Sequence, residues 1–135
     1  MAEGKPRILF VDDEPSILKI VSKHLELAGF EVLIATNGEE GLSKARAERP
    51  DAIILDLMMP KRSGLEVCLT LRKEAQFQQT PIILFTGKEH DDVVANLRTN
   101  DRLKEWGASA FVKKGEGAAT LIRHIREMLA SASPS

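Results

Sequence analysis

The side chains of this 135-residue sequence that could do chemistry together stand at the ends of short apolar runs. They are an acidic pair after the first run and single or paired polar residues after the third, fourth and fifth: Asp12 and Asp13, Asp56, Thr86, Lys113 and Lys114. Neighbouring carboxylates repel one another, and a hard divalent cation such as Mg²⁺ relieves that repulsion. A carboxylate nucleophile beside Mg²⁺, a hydroxyl and an ammonium is the equipment for phosphoryl transfer.

Each of these residues taken alone has a simpler interpretation. An aspartate that follows a strand often caps the next helix, and a lysine pair on a loop is usually only solvated. Complementary groups at four strand ends are much harder to explain by chance. No histidine stands among them, and the three histidines of the chain, His24, His90 and His124, lie far apart, so zinc and copper are poor candidates.

The apolar runs predict five strands buried on both faces, over residues 8–11, 31–35, 52–55, 81–85 and 109–112. Helical spacing of apolar residues predicts a helix after each strand. Pro15 suits the start of the first helix and Gly29 its end, and Asn37 suits the cap of a helix over 38–48. Further helices are predicted around 65–71 and 121–129.

The segment between Thr86 and Trp106 interrupts the helical pattern, because its apolar phase breaks at residues 98–101. We expect two short helical pieces or one kinked helix there, with Trp106 in core or interface packing. The strict alternation predicts a (βα)5 fold of the α/β class, an open parallel sheet with helices on both sides. In such sheets ligands bind beyond the carboxyl ends of the strands, where the polar residues are predicted to meet.

Composition describes an ordinary soluble domain, with 43% apolar residues, 29% charged residues and a formal net charge of -1. This balance gives no global attraction to nucleic acid or to a membrane surface. The single cysteine, Cys68, stands among apolar residues and predicts buried packing. The sequence shows no signal peptide and no apolar run long enough to span a bilayer, so we expect a cytoplasmic protein.

Four segments in this order and spacing resemble the receiver domain of the two-component response-regulator family: "FVDDE" (10–14), "ILDLMMPKRSG" (54–64), "LFTG" (84–87) and "GASAFVKKG" (107–115). The resemblance implies a flavodoxin-like, three-layer fold with a five-stranded parallel sheet in the order 2-1-3-4-5. It implies a receiver domain over 7–130, preceded by an N-terminal extension, 1–6, and followed by a disordered tail or linker stub, 131–135.

The resemblance assigns the acidic residues to one site. Asp56 is similar to the family's phosphoacceptor, and Mg²⁺ is the implied cofactor. Asp13, together with Asp12 partly through water, resembles the metal-binding pair, and the backbone carbonyl of Met58 is the implied third protein ligand. Met58 offers no group to orient an attacking water, so we expect a long-lived phosphoryl state.

The remaining assignments concern the switch and the loops. Thr86 resembles the hydroxyl that turns toward the phosphoryl group, and Phe111 the aromatic that moves with it. Lys114, three residues after that aromatic, resembles the lysine that contacts the phosphoryl group. Pro60 and Gly64 match the loop that shapes the acceptor turn, where proline fixes φ and glycine tolerates positive φ.

The sequence departs from the family pattern in two places. Gly115 replaces the usual proline, whose preceding peptide bond is commonly cis in the family. A cis bond before a residue other than proline costs about 2.5–4 kcal/mol, so we predict a trans Lys114–Gly115 bond and a looser loop. The stretch from Thr86 to Lys114 is also longer than usual, which affects the helix expected on the output face.

The resemblance implies a signalling switch that catalyses only its own phosphorylation and dephosphorylation. Its donor would be a sensor histidine kinase or a histidine phosphotransfer protein, and its target a downstream protein or a fused output domain, with homodimerisation left open. No segment for direct nucleic-acid binding is recognisable. Two alternatives remain, a degenerate receiver that binds partners without phosphorylation and a phosphohydrolase of haloacid-dehalogenase type. The second needs an acid two residues after its nucleophile, where this chain has Met58.

Overall fold

The computed structural model describes residues 4–57, 59, 63–87 and 107–132 and shows alternating strands and helices over these ranges. The strands are β1 (Arg7–Val11), β2 (Glu31–Ala35), β3 (Ala52–Asp56), β4 (Ile82–Thr86) and β5 (Ala110–Lys113). The helices are α1 (Pro15–Leu27), α2 (Gly38–Glu48), α3 (Gly64–Arg72) and α4 (Gly117–Ala132). Short 3-10 turns occupy Ala75–Phe77 and Lys114–Glu116.

The five strands form one parallel sheet in the order β2-β1-β3-β4-β5. This confirms the α/β fold class and the strand order implied by the resemblance. The strands are apolar on both faces because both faces are covered, and every residue of β3 and β4 is buried. Side chains alternate between the two sides, so Ile53 and Leu55 pack with α2 and α3, whereas Ile54 packs with α1 and α4.

The helix ends follow the signals in the sequence. Asn37 caps α2 by accepting a hydrogen bond from the Glu40 amide, at 2.9 Å, and Ser63 caps α3 in the same way. Gly29 has φ of +101° just after α1, the left-handed conformation that glycine adopts at little cost. Cys68 is buried on α3, as predicted.

The boundaries differ from the predictions mainly at the carboxyl ends. β3, β4 and β5 each continue onto the polar residue that was expected to follow them, Asp56, Thr86 and Lys113. α4 continues to Ala132, two residues past the predicted domain end at residue 130. The helix predicted between Thr86 and Trp106 lies outside the described residues. Among the helices that the structure describes, none has the length and apolar character to cross a bilayer.

Candidate functional site at the carboxyl edge of the sheet

The polar residues predicted at the strand ends meet at one edge of the sheet. Parallel pairing brings their strands side by side, and the pairing of Val11 with Leu55 sets Asp12 next to Asp56. Asp12 and Thr86 are fully buried, and Asp56 is 3% exposed. Burial of carboxylates and hydroxyls costs folding free energy, and such groups cluster at functional sites, so this edge of the sheet is a candidate binding or catalytic site.

The three aspartates form a cluster in which one carboxylate oxygen from each lies within 4.8 Å of the others. Asp13 is exposed, whereas Asp12 and Asp56 are buried, so the cluster is open to solvent on one side. Asp12 accepts a hydrogen bond from the Glu14 amide at its Oδ1, at 2.9 Å. These oxygens are of the kind that a hard divalent cation prefers, and water has access to complete its coordination.

Lys114 is the lysine of the pair that reaches the cluster. Its Nζ lies 2.7 Å from Glu14 Oε1, 2.9 Å from Asp12 Oδ2 and 3.6 Å from Asp56 Oδ2. The approach to Asp12 Oδ2 is an ion pair without the alignment of a hydrogen bond, since that oxygen has no hydrogen-bond partner among the described residues. The Lys114 side chain is 11% exposed, and its ammonium stands 5.9 Å from the centre of the Phe85 ring.

The electrostatics of the cluster disfavour full ionisation. Burial raises the pKa of Asp56 to about 8, helped by the charges of Asp12 and Asp13 and by a hydrogen bond with Asp13, while Lys114 acts in the opposite direction. Burial also raises the pKa of Asp12, against the Glu14 amide and Lys114. Burial lowers the pKa of Lys114, but its hydrogen bond to Glu14, its ion pair with Asp12 and the charge of Asp56 more than offset this, so the pKa is raised and Lys114 stays protonated. A bound cation would therefore favour the ionised form of these aspartates.

Thr86 closes the site from β4. It is fully buried, and its Oγ1 has no hydrogen-bond partner among the residues that the structure describes. A buried hydroxyl without a partner costs stability and is retained where it has a use.

Gly64 contributes to the site through its lack of a side chain. A Cβ at this position would overlap the backbone oxygen of Asp56, and the Gly64 amide donates to the Leu57 carbonyl at 2.8 Å. Gly64 does not have a positive φ, so the reason predicted for a glycine at this position is wrong. Glycine is needed here because a larger residue would have no room for its Cβ, and not because of the backbone conformation. Pro60 and Met58, the other residues assigned to this loop, lie outside the described residues.

The loop after β5 is trans at Lys114–Gly115, because no cis peptide bond occurs in the described part of the chain. This confirms the prediction for Gly115. Glu116 forms two hydrogen bonds at this loop: the Lys113 amide donates to Glu116 Oε2 at 3.0 Å, and the Thr120 hydroxyl donates to the Glu116 carbonyl at 3.2 Å. Phe111, the predicted switch aromatic, is half-buried on β5 and packs against the apolar cluster on the α2 and α3 side.

Sequence reasoning missed two residues, Glu14 at this edge and Arg72 near the opposite edge, where β4 and β5 begin. The Arg72 guanidinium donates to the Gly107 carbonyl at 2.6 Å and to the Phe77 carbonyl at 2.5 Å, and so holds the segment that leads into β5. Its position on α3 gives no hint of contacts so distant in sequence. Glu14 received no role from the sequence, although its ion pair with Lys114 is the shortest that this ammonium makes among the described residues.

Comparison with known proteins agrees with this geometry. The family model for the response regulator receiver domain matches residues 8–126. The alkaline phosphatase synthesis transcriptional regulatory protein PhoP of Bacillus subtilis is 46% identical over 109 residues, which cover 80% of this chain and 42% of PhoP. The chain spans about half the length of most of the curated relatives that it resembles.

Shorter relatives match over nearly their full length. Protein PilH of Pseudomonas aeruginosa is 33% identical over 126 residues, covering 92% of this chain and 98% of PilH. The response regulator TrrA of Thermotoga maritima, solved in complex with Mg²⁺ and beryllofluoride, superposes with a TM-score of 0.76 at 34% identity, covering 91% of this chain and 98% of TrrA.

Proposed function

The chain belongs to the response regulator receiver family, and we propose that it is a phosphorylation-dependent switch of a two-component system that accepts its phosphoryl group on Asp56. The observation that carries this proposal is the position of Asp56. It is buried at the end of a central strand, close to two other carboxylates and 3.6 Å from the Lys114 ammonium. A structural aspartate has no need of such neighbours, whereas a phosphoryl acceptor needs all of them.

Asp12, Asp13 and Asp56 fit a Mg²⁺ ion, for which the Met58 carbonyl is the further ligand implied by the family. Their oxygens lie within 4.8 Å of one another, and burial together with the charges of Asp12 and Asp13 raises the pKa of Asp56, an effect that a bound cation would oppose. The metal would neutralise charge on the phosphoryl oxygens during transfer. The complex of TrrA with Mg²⁺ and beryllofluoride supports this assignment by similarity.

The transfer itself needs little beyond orientation. An oxygen of ionised Asp56 attacks the phosphorus of a phosphohistidine on a sensor kinase or phosphotransfer protein. The oxygen–phosphorus bond forms as the phosphorus–nitrogen bond breaks, and the nitrogen keeps the electron pair. The Lys114 ammonium binds a phosphoryl oxygen, and hydrolysis of the acyl phosphate later restores Asp56.

The switch follows from the added charge. The phosphoryl group on Asp56 offers oxygen acceptors to the Thr86 hydroxyl, which has no partner among the described residues. Movement of Thr86 leaves room for Phe111 to turn inward, and this biases the output face, to which β5 and α4 contribute. The helix predicted for this face between Thr86 and Trp106 lies outside the described residues. The proposed readers of that face are a downstream protein or a fused output domain, in the cytoplasm, with homodimerisation left open.

Labelling with acetyl phosphate and Mg²⁺, followed by intact mass measurement, tests the acceptor. The wild type should gain one phosphoryl group, and Asp56→Asn should gain none. Asp51→Asn is the matched control, because Asp51 is exposed, lies outside the cluster and should leave labelling unchanged.

The same experiment separates the alternatives. A degenerate receiver would leave the wild type unlabelled, and continued labelling of Asp56→Asn would show that another residue accepts the phosphoryl group. A phosphohydrolase would turn over a phosphate monoester many times, which the receiver should not do.

A further inference from the structure

The ion pair between Lys114 and Glu14 is a feature of the site that phosphoryl acceptance does not require. Lys114 Nζ lies 2.7 Å from Glu14 Oε1, in a contact that joins residues 100 positions apart in the sequence. Glu14 is not part of the aspartate cluster, and its side chain is 50% exposed. The pair therefore links the loop after β5 to the start of α1 at the margin of the site.

The location of Glu14 makes this contact unexpected. Glu14 is the N-cap residue of α1, a position at which the side chain normally accepts a hydrogen bond from the amides of the first helical turn. The Glu14 side chain caps nothing in the described part of the chain, and Pro15 removes one of the donors. The Glu14 backbone amide donates to Asp12 Oδ1 at 2.9 Å, and the Glu14 carboxylate contacts Lys114.

The distances show which partners hold the ammonium before phosphorylation. Lys114 Nζ is 2.7 Å from Glu14 and 2.9 Å from Asp12, but 3.6 Å from Asp56. These two close carboxylates hold the ammonium at 3.6 Å from the nearest Asp56 oxygen. A phosphoryl group on Asp56 would add negative charge and oxygen acceptors that draw the same ammonium away from them.

Of the two close contacts, the one to Glu14 is easier to release. Asp12 is fully buried, and a buried carboxylate that loses its cation is left with a large desolvation cost. Glu14 is half-exposed, so water can solvate its carboxylate when the ammonium leaves. The structure thus contains one fixed partner of Lys114 and one exchangeable partner.

We propose that Glu14 is a positioning residue that competes with the phosphoryl group on Asp56 for Lys114, and so sets how readily the protein enters its phosphorylated state. This inference rests on the proposed phosphoryl acceptance by Asp56. It assigns to Glu14 a restraint on activation, in addition to any general effect of its negative charge.

Glu14→Gln tests the restraint, with beryllofluoride as the phosphoryl mimic. Calorimetric titration in the presence of saturating Mg²⁺ should show that this variant binds beryllofluoride about two- to fivefold more tightly than the wild type, the range for an ion pair with one exposed partner. Glu127→Gln on α4 is the matched control, since it removes the same charge from an exposed position and should leave the affinity unchanged. Unchanged or weaker binding in Glu14→Gln would overturn the proposal.

A double-mutant cycle with Lys114→Met separates competition for the ammonium from simple repulsion. If Glu14 acts through Lys114, the gain from Glu14→Gln should largely disappear in the Lys114→Met background. If the whole gain persists there, the effect is through-space charge and the inference is wrong. Where Lys114→Met binds beryllofluoride too weakly to titrate, initial rates of acetyl phosphate labelling provide the same comparison.

A second readout needs neither metal nor phosphoryl mimic. The NMR signal of the Lys114 Cε methylene in the metal-free protein should shift in Glu14→Gln and not in Glu127→Gln, and equal spectra would show that the contact is absent in solution. Failure of the proposed function looks different, because then the wild type itself would bind no beryllofluoride and accept no phosphoryl group.

Discussion

Replacement of Asp56 by asparagine should change the pH dependence of folding stability in the metal-free protein. The pKa of Asp56 is raised from 3.8 to about 8, first by burial and then by the neighbouring aspartates. Between these two values the folded protein holds a proton that the unfolded chain has released. Folding therefore takes up a proton at Asp56 in this pH range. The contribution of this proton to the free energy of unfolding is fully present below pH 4 and is lost as the pH rises through 8.

The magnitude follows from linkage. When folding takes up one proton, the free energy of unfolding falls by up to about 1.4 kcal/mol for each unit by which the pH rises. From pH 5 to pH 7 the wild type should thus lose up to about 2.7 kcal/mol relative to Asp56→Asn, which carries no proton at this position. The asparagine variant should be the more stable protein at pH 7 and above.

The assay is urea unfolding at pH 5, 6, 7 and 8 with a chelator present, on the wild type, Asp56→Asn and the surface control Asp51→Asn. The control should run parallel to the wild type. Addition of Mg²⁺ should stabilise the wild type more as the pH rises, because the metal binds the ionised cluster. Parallel curves for the wild type and Asp56→Asn would refute the argument, since they would show that Asp56 takes up no proton on folding.

Two further substitutions test the structure around the acceptor. Gly64→Ala forces a Cβ against the backbone oxygen of Asp56 and should lower the free energy of unfolding by about 1–3 kcal/mol. Gly115→Ala is the control, because its added Cβ has nothing within 4 Å and should change this free energy little. Equal effects of the two variants in urea unfolding would contradict the close approach at Gly64. Thr86→Val replaces the buried hydroxyl, which has no partner among the described residues, by a methyl group of similar size. The unphosphorylated protein should therefore keep or gain stability, while the NMR changes induced by beryllofluoride at β5 are reduced. A clear loss of stability in this variant would show that the hydroxyl is already bonded.

The sequence predicted the elements more accurately than their arrangement. Buried parallel strands carry apolar residues on both faces, so β1 to β5 were visible as short runs, and Asn37 and Gly29 marked helix ends by their own chemistry. The order of the strands leaves no trace in periodicity and came from the resemblance alone. The carboxyl ends of β3, β4 and β5 were placed one residue early, because a polar residue at the end of a buried run is indistinguishable in sequence from the first residue of a loop.

The contacts within the site were less predictable because they join distant segments. The convergence of Asp12, Asp56 and Thr86 follows from parallel strands that end at the same edge. The partner of Glu14, by contrast, depends on how the loop after β5 folds, and 100 residues separate the two. The role of Gly64 was predicted for the wrong reason, since the nearness of the Asp56 backbone is a property of packing that a sequence pattern cannot distinguish from a left-handed turn.

The lysine pair, Lys113 and Lys114, shows how the sequence pattern and the folded geometry combine. Lys113 is the last residue of β5 and pairs with Thr86 in the ladder, and its amide is held by Glu116. Lys114 opens the 3-10 turn that follows, so its side chain leaves the alternation of the strand and reaches over the end of the sheet toward Asp12 and Asp56. Gly115 stands in this turn where the family usually has a proline, and Glu116 supplies hydrogen bonds to the turn. The geometry of the turn thus selects the lysine that can contact a phosphoryl group.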